Sequence, residues 1–284
     1  MFVVNFITMN SILVPVDFSE TSDNALLYAV NLANYLSANL VLFHVNVIPI
    51  YNNEYGTVTY SEKESVEATL NLLNQKAALL KKDNVLIGNV DCHVEVGDLK
   101  SQMIHYINNN NIDMVVMGIT GHSTKLGKVL FGSNAVSISR ESNIPVFIIP
   151  PNCSFKKINN IAYASEYDVH ITEQTGLIQI KYIASIFGAN LSVLHVIPDN
   201  HLLNELDSAT DLFVEQKLEK INHKTFILSE DRASTALLDF IKAHDMDVIV
   251  LEQKKHSFLH NLVYPSTTKE VAFLSPIPVL TIHS

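Results

Sequence analysis

The chain repeats itself once, and this repeat restricts its fold more than any other feature. Residues 38–45 read Ala-Asn-Leu-Val-Leu-Phe-His-Val, and residues 189–196 read Ala-Asn-Leu-Ser-Val-Leu-His-Val. Two further matches follow in the same order, 112–116 with 246–250 and 144–148 with 277–281. Because Asn, His and Pro positions agree as well as apolar ones, the matches indicate duplication of one structural unit.

A proline pair, Pro150 and Pro151, marks the boundary between the copies. Two prolines cannot continue a central strand or a helix, and residues 158–163 then restart the pattern of the first strand. The sequence predicts two domains, residues 9–151 and 156–284. A chain of 284 residues with 48% hydrophobic residues can supply a core to each of them.

Apolar runs alternate with amphipathic helices in each copy. In the first copy the predicted strands are 11–16, 40–47, 90–96, 114–119 and 146–149, and the predicted helices are 23–36, 64–82, 99–108 and 133–141. Continuous apolar runs are typical of parallel strands buried on both faces, and the alternation implies right-handed crossovers. The predicted fold class is α/β, with two tandem, doubly wound, open parallel five-stranded sheets. Ligands of such sheets bind at the carboxyl ends of the strands.

A glycine-rich segment follows the fourth predicted strand. It holds four of the nine glycines in the chain, Gly118, Gly121, Gly127 and Gly132. Glycine lets a ligand approach the main chain closely, and a helix beginning near Ser133 directs free N–H groups at the loop, where an anion is favoured. The segment therefore predicts a phosphate-binding site. It is neither a GxGxxG fingerprint nor a P-loop, whose GxxxxGK[ST] spacing it exceeds by one residue.

The glycine segment resembles the loop of the universal stress protein family, written G-x2-G-x9-G-[ST]. Here Gly118 and Gly121 fit, and Gly132-Ser133 closes the loop after a spacer of ten residues. Residues 12–19, 41–45 and 144–146 are similar to the family's first, second and last strands. The resemblance covers the first copy completely and the second through framework residues only. It implies a Rossmann-like sheet that binds adenine nucleotides in some members.

The resemblance implies a site for ATP or AMP, with or without Mg²⁺, in the first copy. Asp17 ends the first strand, so its carboxylate can accept from ribose or adenine, and main-chain amides near Val45 can pair with an adenine edge. Two alternatives are equally supported for His122 and Lys125: they contact the phosphates, or they are exposed to solvent. The candidate binding residues are Pro15, Val16, Asp17, Val45, Met117, Gly118, Gly121, His122, Gly132, Ser133 and Asn134.

The second copy departs from this pattern, because residues 252–266 contain no glycine. Glu252 stands where the first copy has Gly118, and Pro265 removes an N–H donor. We expect no ATP there by the same mode. Its expected role is a built-in partner, with strands 146–149 and 279–283 pairing as in an intramolecular pseudo-dimer; a degenerate pocket for another ligand and a homodimer of whole chains are alternatives.

The net charge of −10 argues against a broad nucleic-acid surface. Two distant cysteines form no disulfide framework, and the apolar N-terminus is too short to span a membrane and lacks a signal-peptide pattern. We expect a soluble cytoplasmic protein with no membrane or nucleic-acid partner. His44 and His195 are interpreted as structural, and His256 with His260 lacks a third metal ligand.

The leading functional hypothesis is a stress-related regulatory protein that binds an adenine nucleotide and has protein partners still to be identified. No activated nucleophile or paired catalytic carboxylates are recognisable, so no catalytic residue is assigned. Two alternatives stay open at this point. One is a slow ATPase or self-phosphorylating protein with Ser123, Thr124 or Ser133 as acceptor, and the other is a nucleotide-free scaffold for protein contacts.

Overall fold

The computed structural model describes residues 9–47, 61–82, 85–120, 133–165, 175–197, 214–230, 232–253 and 264–283. The described chain divides into two compact units, Met1–Gly118 and Ile119–Ser284. The strands are β1 Ser11–Pro15, β2 Asn39–Asn46, β3 Val90–Val96, β4 Met114–Gly118, β5 Val146–Ile149, β6 Asn160–Ser165, β7 Asn190–Ile197, β8 His223–Ser229, β9 Val248–Gln253 and β10 Val279–His283. The helices are α1 Glu20–Leu36, α2 Glu62–Lys82, α3 Leu99–Asn109, α4 Ser133–Glu141, α5 Thr175–Phe187, α6 Ala233–Ala243 and α7 Tyr264–Leu274.

The first unit is a parallel sheet with the strand order β3-β2-β1-β4. The chain runs from β1 through β2 to β3 at one edge and then crosses back to β4, on the other side of β1. This change of direction is typical of a doubly wound sheet. Helix α1 begins at Glu20, three residues before the predicted start, and its N-cap is Ser19, whose side chain accepts from the Ser22 N–H. Its apolar side packs on β1 and β4 through small residues such as Ala25 and Ala29, which are fully buried.

The second unit has the strand order β5-β10-β9-β6-β7-β8. Its strands are parallel except for β5 and β10, which pair antiparallel with Phe147 opposite Leu280. The predicted pairing of 146–149 with 279–283 is therefore confirmed, as is the α/β class with a mostly parallel sheet. Because β5 pairs with the last strand of the second copy, it belongs to the second unit. The first unit therefore has four of the described strands and the second unit has six.

Matched residues of the two copies make the same contacts. The Asp113 carboxylate accepts from the main-chain N–H groups of residues 10 and 11 at 2.8 and 3.0 Å. Asp247 accepts in the same way from residues 159 and 160, also at 2.8 and 3.0 Å. Each carboxylate fixes the beginning of the first strand of its own copy. Equal contacts from equal positions support the duplication that the sequence repeats indicate.

The turn after the first helix is also shared. Ser37 and Gly188 occupy corresponding positions and both have left-handed backbone, with φ of 57° and 61°. In each copy the next residue donates its N–H to a carbonyl near the helix end, Ala38 to Ala33 and Ala189 to Ala184. The copies therefore accept serine or glycine at the same helix C-cap.

Strand β5 has all four side chains buried, and its antiparallel partner comes from residues 279–283. A chain that ends at residue 151 loses this partner and exposes an apolar strand edge, which favours pairing with another chain. We expect residues 9–151, produced alone, to dimerise or aggregate in size-exclusion chromatography with light scattering. A stable monomer at micromolar concentration would contradict this expectation.

Candidate functional site

Three strand ends of the first unit carry six of the predicted site residues. Strand β1 lies between β2 and β4, so the carboxyl ends of all three parallel strands meet at one edge of the sheet. Continuing the observed registers places Val16 level with Gly118, and Asp17 level with Val45. The residues that the structure brings to this edge are Pro15, Val16, Asp17, Val45, Met117 and Gly118.

These six residues present different groups to solvent. Asp17 is exposed, whereas the side chains of Val16, Val45 and Met117 are buried, each with no more than 8% of its surface accessible. A ligand at this edge would meet a carboxylate and main-chain groups more than apolar side chains. The expectation that Asp17 acts through its carboxylate and Val45 through its amide stays a prediction.

The Asp17 carboxylate is fixed by the helix that follows it. Its Oδ1 accepts from the N–H of Ser19 at 3.0 Å and from the Ser19 hydroxyl at 2.5 Å. The same hydroxyl oxygen accepts from the Ser22 N–H at 3.2 Å. Partial burial tends to raise the pKa of Asp17, but the hydrogen bonds from Ser19 and Ser22 outweigh it, so the pKa lies below its usual value. Asp17 is therefore an anion at neutral pH.

Replacing Asp17 by asparagine tests this electrostatic description. A carboxyl group with a lowered pKa in the folded chain stabilises the fold above its unfolded pKa, and this stabilisation is lost as the pH falls through the folded pKa. We expect Asp17→Asn to reduce the free energy of unfolding most near pH 7, with a difference that shrinks below about pH 4. Urea unfolding between pH 3 and pH 7 measures it, and a pH-independent difference would contradict the assignment.

Phe18 turns the chain away from the sheet. Its φ is 61°, in the left-handed region that large side chains rarely adopt. The Phe18 ring lies against the His44 imidazole, with ring centroids 5.2 Å apart. His44 Nδ1 in turn lies 2.5 Å from the carbonyl oxygen of Val16. A carbonyl oxygen only accepts, so Nδ1 carries the proton of this hydrogen bond. The interpretation of His44 as structural had not identified this contact.

Gly118 has a packing role that the sequence did not reveal. A Cβ at this position would lie 2.5 Å from the Thr21 carbonyl oxygen and 2.7 Å from Thr21 Cγ2. The first turn of α1 therefore packs directly on the end of β4, where only glycine leaves enough room. The absence of a side chain at Gly118 is explained by this contact, and its predicted contact with phosphate stays a prediction.

The remaining predicted residues lie elsewhere. Gly121, His122 and Gly132 fall within 121–132, outside the described residues, as do Ser123, Thr124 and Lys125. Ser133 begins α4 in the second unit, and Asn134, in the first turn of the same helix, is exposed. That first turn contains no acidic residue, which suits an anion at the helix N-terminus.

The second copy fills the position of Gly118 with a side chain. Glu252, at the corresponding position on β9, accepts a hydrogen bond from the hydroxyl of Tyr163 on β6. The same carboxylate lies against Gly176 in the first turn of α5, where a Cβ would overlap Glu252 Oε1. Tyr163 is fully buried. Burial, together with the negative charge of Glu252, raises the pKa of Tyr163 well above its usual value, so the hydroxyl keeps its proton and donates.

Sequence reasoning singled out Glu252 but missed Tyr163 as its partner and Gly176 as the residue that accommodates it. The repeat contains the signal, since the strand registers align Tyr163 with Val14, and counting back from the matched turn residues Ser37 and Gly188 aligns Gly176 with Ala25. The second copy thus has a larger side chain on the strand and one methyl group fewer on the helix. Such a paired change indicates contact between the two positions.

The described ranges show neither a metal-binding cluster nor a membrane-spanning helix. Between residues 9 and 283, gaps excepted, no group of three or more His, Cys, Asp and Glu side chains is arranged to hold a metal ion. Within the same described part of the chain, no helix has both the length and the apolar character needed to cross a membrane. His256 and His260 lie outside the described residues.

Comparisons with known proteins agree with the fold and with the repeat. Universal stress protein Slr1230 of Synechocystis sp. is 23% identical over 295 residues, covering 96% of this chain and 99% of the relative. Universal stress protein MJ0531 of Methanocaldococcus jannaschii is 26% identical over 141 residues, covering 49% of this chain and 80% of the relative.

A solved universal stress protein from Archaeoglobus fulgidus is similar in fold, with a TM-score of 0.72 and 20% identity over 97% of this chain and 98% of that chain. A putative universal stress protein from Pseudomonas aeruginosa has a TM-score of 0.64 and 17% identity over 98% of this chain and 94% of that chain. The model of the Universal stress protein family matches residues 9–150 and 178–283. The chain therefore belongs to the universal stress protein family.

Proposed function

We propose that the chain is a regulatory protein that binds one adenine nucleotide, ATP or AMP, at the strand ends of its first unit. The observation that carries the proposal is the arrangement at the end of β1. There an exposed, ionised Asp17 is fixed by Ser19, the N-cap of α1, and Val45 lies near the end of the neighbouring strand β2. A carboxylate accepts from ribose hydroxyls or an exocyclic amine, and a main-chain N–H donates to a ring nitrogen.

The phosphate part of the site rests on the glycine segment and its resemblance to the family loop. Gly121, Gly132 and the N–H groups at the start of α4 would surround the phosphates. Asp17 is the carboxylate among the proposed binding residues, so Mg²⁺ would be held chiefly by phosphate oxygens and water. Nucleotide occupancy would then alter the surface offered to protein partners.

The second copy supports this role by supplying β10 to β5 of the first copy, and we propose that the second copy binds no nucleotide by this mode. Glu252 places a carboxylate at the position of Gly118, beside the first turn of α5. A negative charge in that place opposes phosphate. The proposed stoichiometry is therefore one nucleotide per chain.

The test is to purify the chain without added nucleotide, denature it, and identify what is released by chromatography and mass spectrometry. Asp17→Ala and Gly132→Val should each lose the nucleotide. Asp98→Ala is the matched control, because Asp98, the N-cap of α3, also accepts from the N–H and the hydroxyl of one serine, Ser101. It follows β3, two strands away from β1, and should retain wild-type content.

Adenine nucleotide near one per chain, lost in the two site variants, supports the proposal. Equal content in Asp17→Ala and Asp98→Ala would contradict the placement at β1. If no nucleotide is released, and calorimetry detects no binding of ATP or AMP with or without Mg²⁺, the proposal fails and a nucleotide-free scaffold becomes the better description.

A further inference from the structure

The hydrogen-bond ladder between β1 and β2 ends one residue early. Its last bond runs from the Val16 N–H to the Phe43 carbonyl oxygen, at 2.8 Å. In a parallel ladder the next bond would run from the Val45 N–H to the Val16 carbonyl oxygen. Instead this oxygen lies 2.5 Å from His44 Nδ1 and accepts from the imidazole. The His44 side chain thus donates to the Val16 carbonyl oxygen, which would otherwise accept from the Val45 N–H of the same strand β2.

The second copy provides the comparison. There the first strand continues for one more residue, and Ser165, the counterpart of Val16, stays in register with His195, the counterpart of His44. In the first copy β1 ends at Pro15. The chain then turns through Phe18, whose ring rests on the imidazole of His44. The shorter ladder is therefore confined to the copy that has the glycine segment.

We propose that His44 is a positioning residue that holds the end of β1 away from β2 and so leaves the Val45 N–H for the base of the nucleotide. This inference rests on the proposed function and names its specificity element. By the alternation of a parallel ladder, Val45 directs its N–H toward β1. Because the Val16 carbonyl accepts from the imidazole, the Val45 N–H can donate to an acceptor atom of a ligand. The chemistry that fits is a purine with an unprotonated ring nitrogen at its edge.

The matched variants are His44→Asn and His44→Leu. The amide nitrogen of asparagine stands as many bonds from Cα as His Nδ1, so it can donate to the Val16 carbonyl, whereas leucine cannot. We expect His44→Asn to bind ATP within about threefold of wild type and His44→Leu about tenfold more weakly, the effect of one hydrogen bond. Inorganic tripolyphosphate should bind both equally, because the loss concerns the base. His195→Leu is the control in the second copy and should leave ATP affinity unchanged.

Hydrogen exchange of the Val45 amide in the nucleotide-free chain, measured by NMR, tests the same inference independently of binding. In His44→Leu the Val16 carbonyl is released, the ladder bond can close, and exchange at Val45 should slow. Unchanged or faster exchange in His44→Leu would overturn the proposal, as would equal losses of ATP affinity in the leucine and asparagine variants. A wild-type chain that binds no ATP would refute the proposed function, while Val45 exchange would still decide the role of His44.

Discussion

Gly118→Ala is expected to lower the free energy of unfolding of the first unit by about 3 kcal/mol, at the upper end of the usual cost of overpacking. The added methyl group would lie 2.5 Å from a main-chain oxygen, that of Thr21. A main-chain atom cannot rotate away, so α1 as a whole must move off β4. The same movement displaces Ser19 and Asp17, so bound nucleotide should be lost as well. Urea unfolding and nucleotide content measure the two effects.

Gly188→Ser is the control for this change. Gly188 has left-handed backbone, but no atom lies within 4 Å of a Cβ built there, and the first copy has Ser37 at the corresponding position with φ of 57°. We expect a cost of about 1 kcal/mol from the backbone alone, with nucleotide content unchanged. If Gly118→Ala were no more harmful than Gly188→Ser, the close packing of α1 on β4 would be wrong.

Gly176→Ala is expected to destabilise the second unit by about 2 kcal/mol. The new methyl group would occupy the space of the Glu252 carboxylate. That side chain is flexible and can leave, so the cost is the loss of its hydrogen bond from Tyr163. The Tyr163 hydroxyl would then be buried without its acceptor, which accounts for the magnitude.

A double-mutant cycle separates this cause from a general effect on the helix. In a Glu252→Ala background the carboxylate is absent, and Gly176→Ala should stabilise the unit by about 0.5–1 kcal/mol, because alanine is the better helix former. The same substitution should therefore change sign between the two backgrounds, which urea unfolding can measure. Equal effects in both would show that Glu252 and Gly176 do not contact.

The sequence predicted the elements whose signals are local or repeated. The bounds of β3, α4 and β5 agree to the residue, because each is a short segment with a clear alternating, helical or apolar pattern. The pairing of β5 with β10 was also predicted, since two apolar edge strands in related copies need partners. The position of Asp17 just after β1 followed from the buried strand that precedes it, whereas its contact with a ligand stays a prediction.

The contacts that the sequence did not predict join distant residues. Tyr163 and Glu252 are 89 positions apart, and nothing local to either indicates the other. Gly118 was visible as a glycine, but its neighbour Thr21 lies on another element, so its packing role was hidden behind a phosphate motif. His44 was interpreted only as structural, because the pattern of β2 does not indicate which carbonyl its ring contacts.

The antiparallel pairing of β5 with β10 has a consequence for synthesis on the ribosome. Ile149 and Val279 are separated by 130 positions in the chain (279 − 149). At typical elongation rates of about 5–20 residues per second, the partner of β5 is made roughly 6–26 seconds after β5 itself. Throughout that interval the strand Val146–Ile149 is an apolar segment without its final neighbour. We expect the nascent chain to bind chaperones that recognise short hydrophobic segments, and slowing translation between the copies should increase its aggregation.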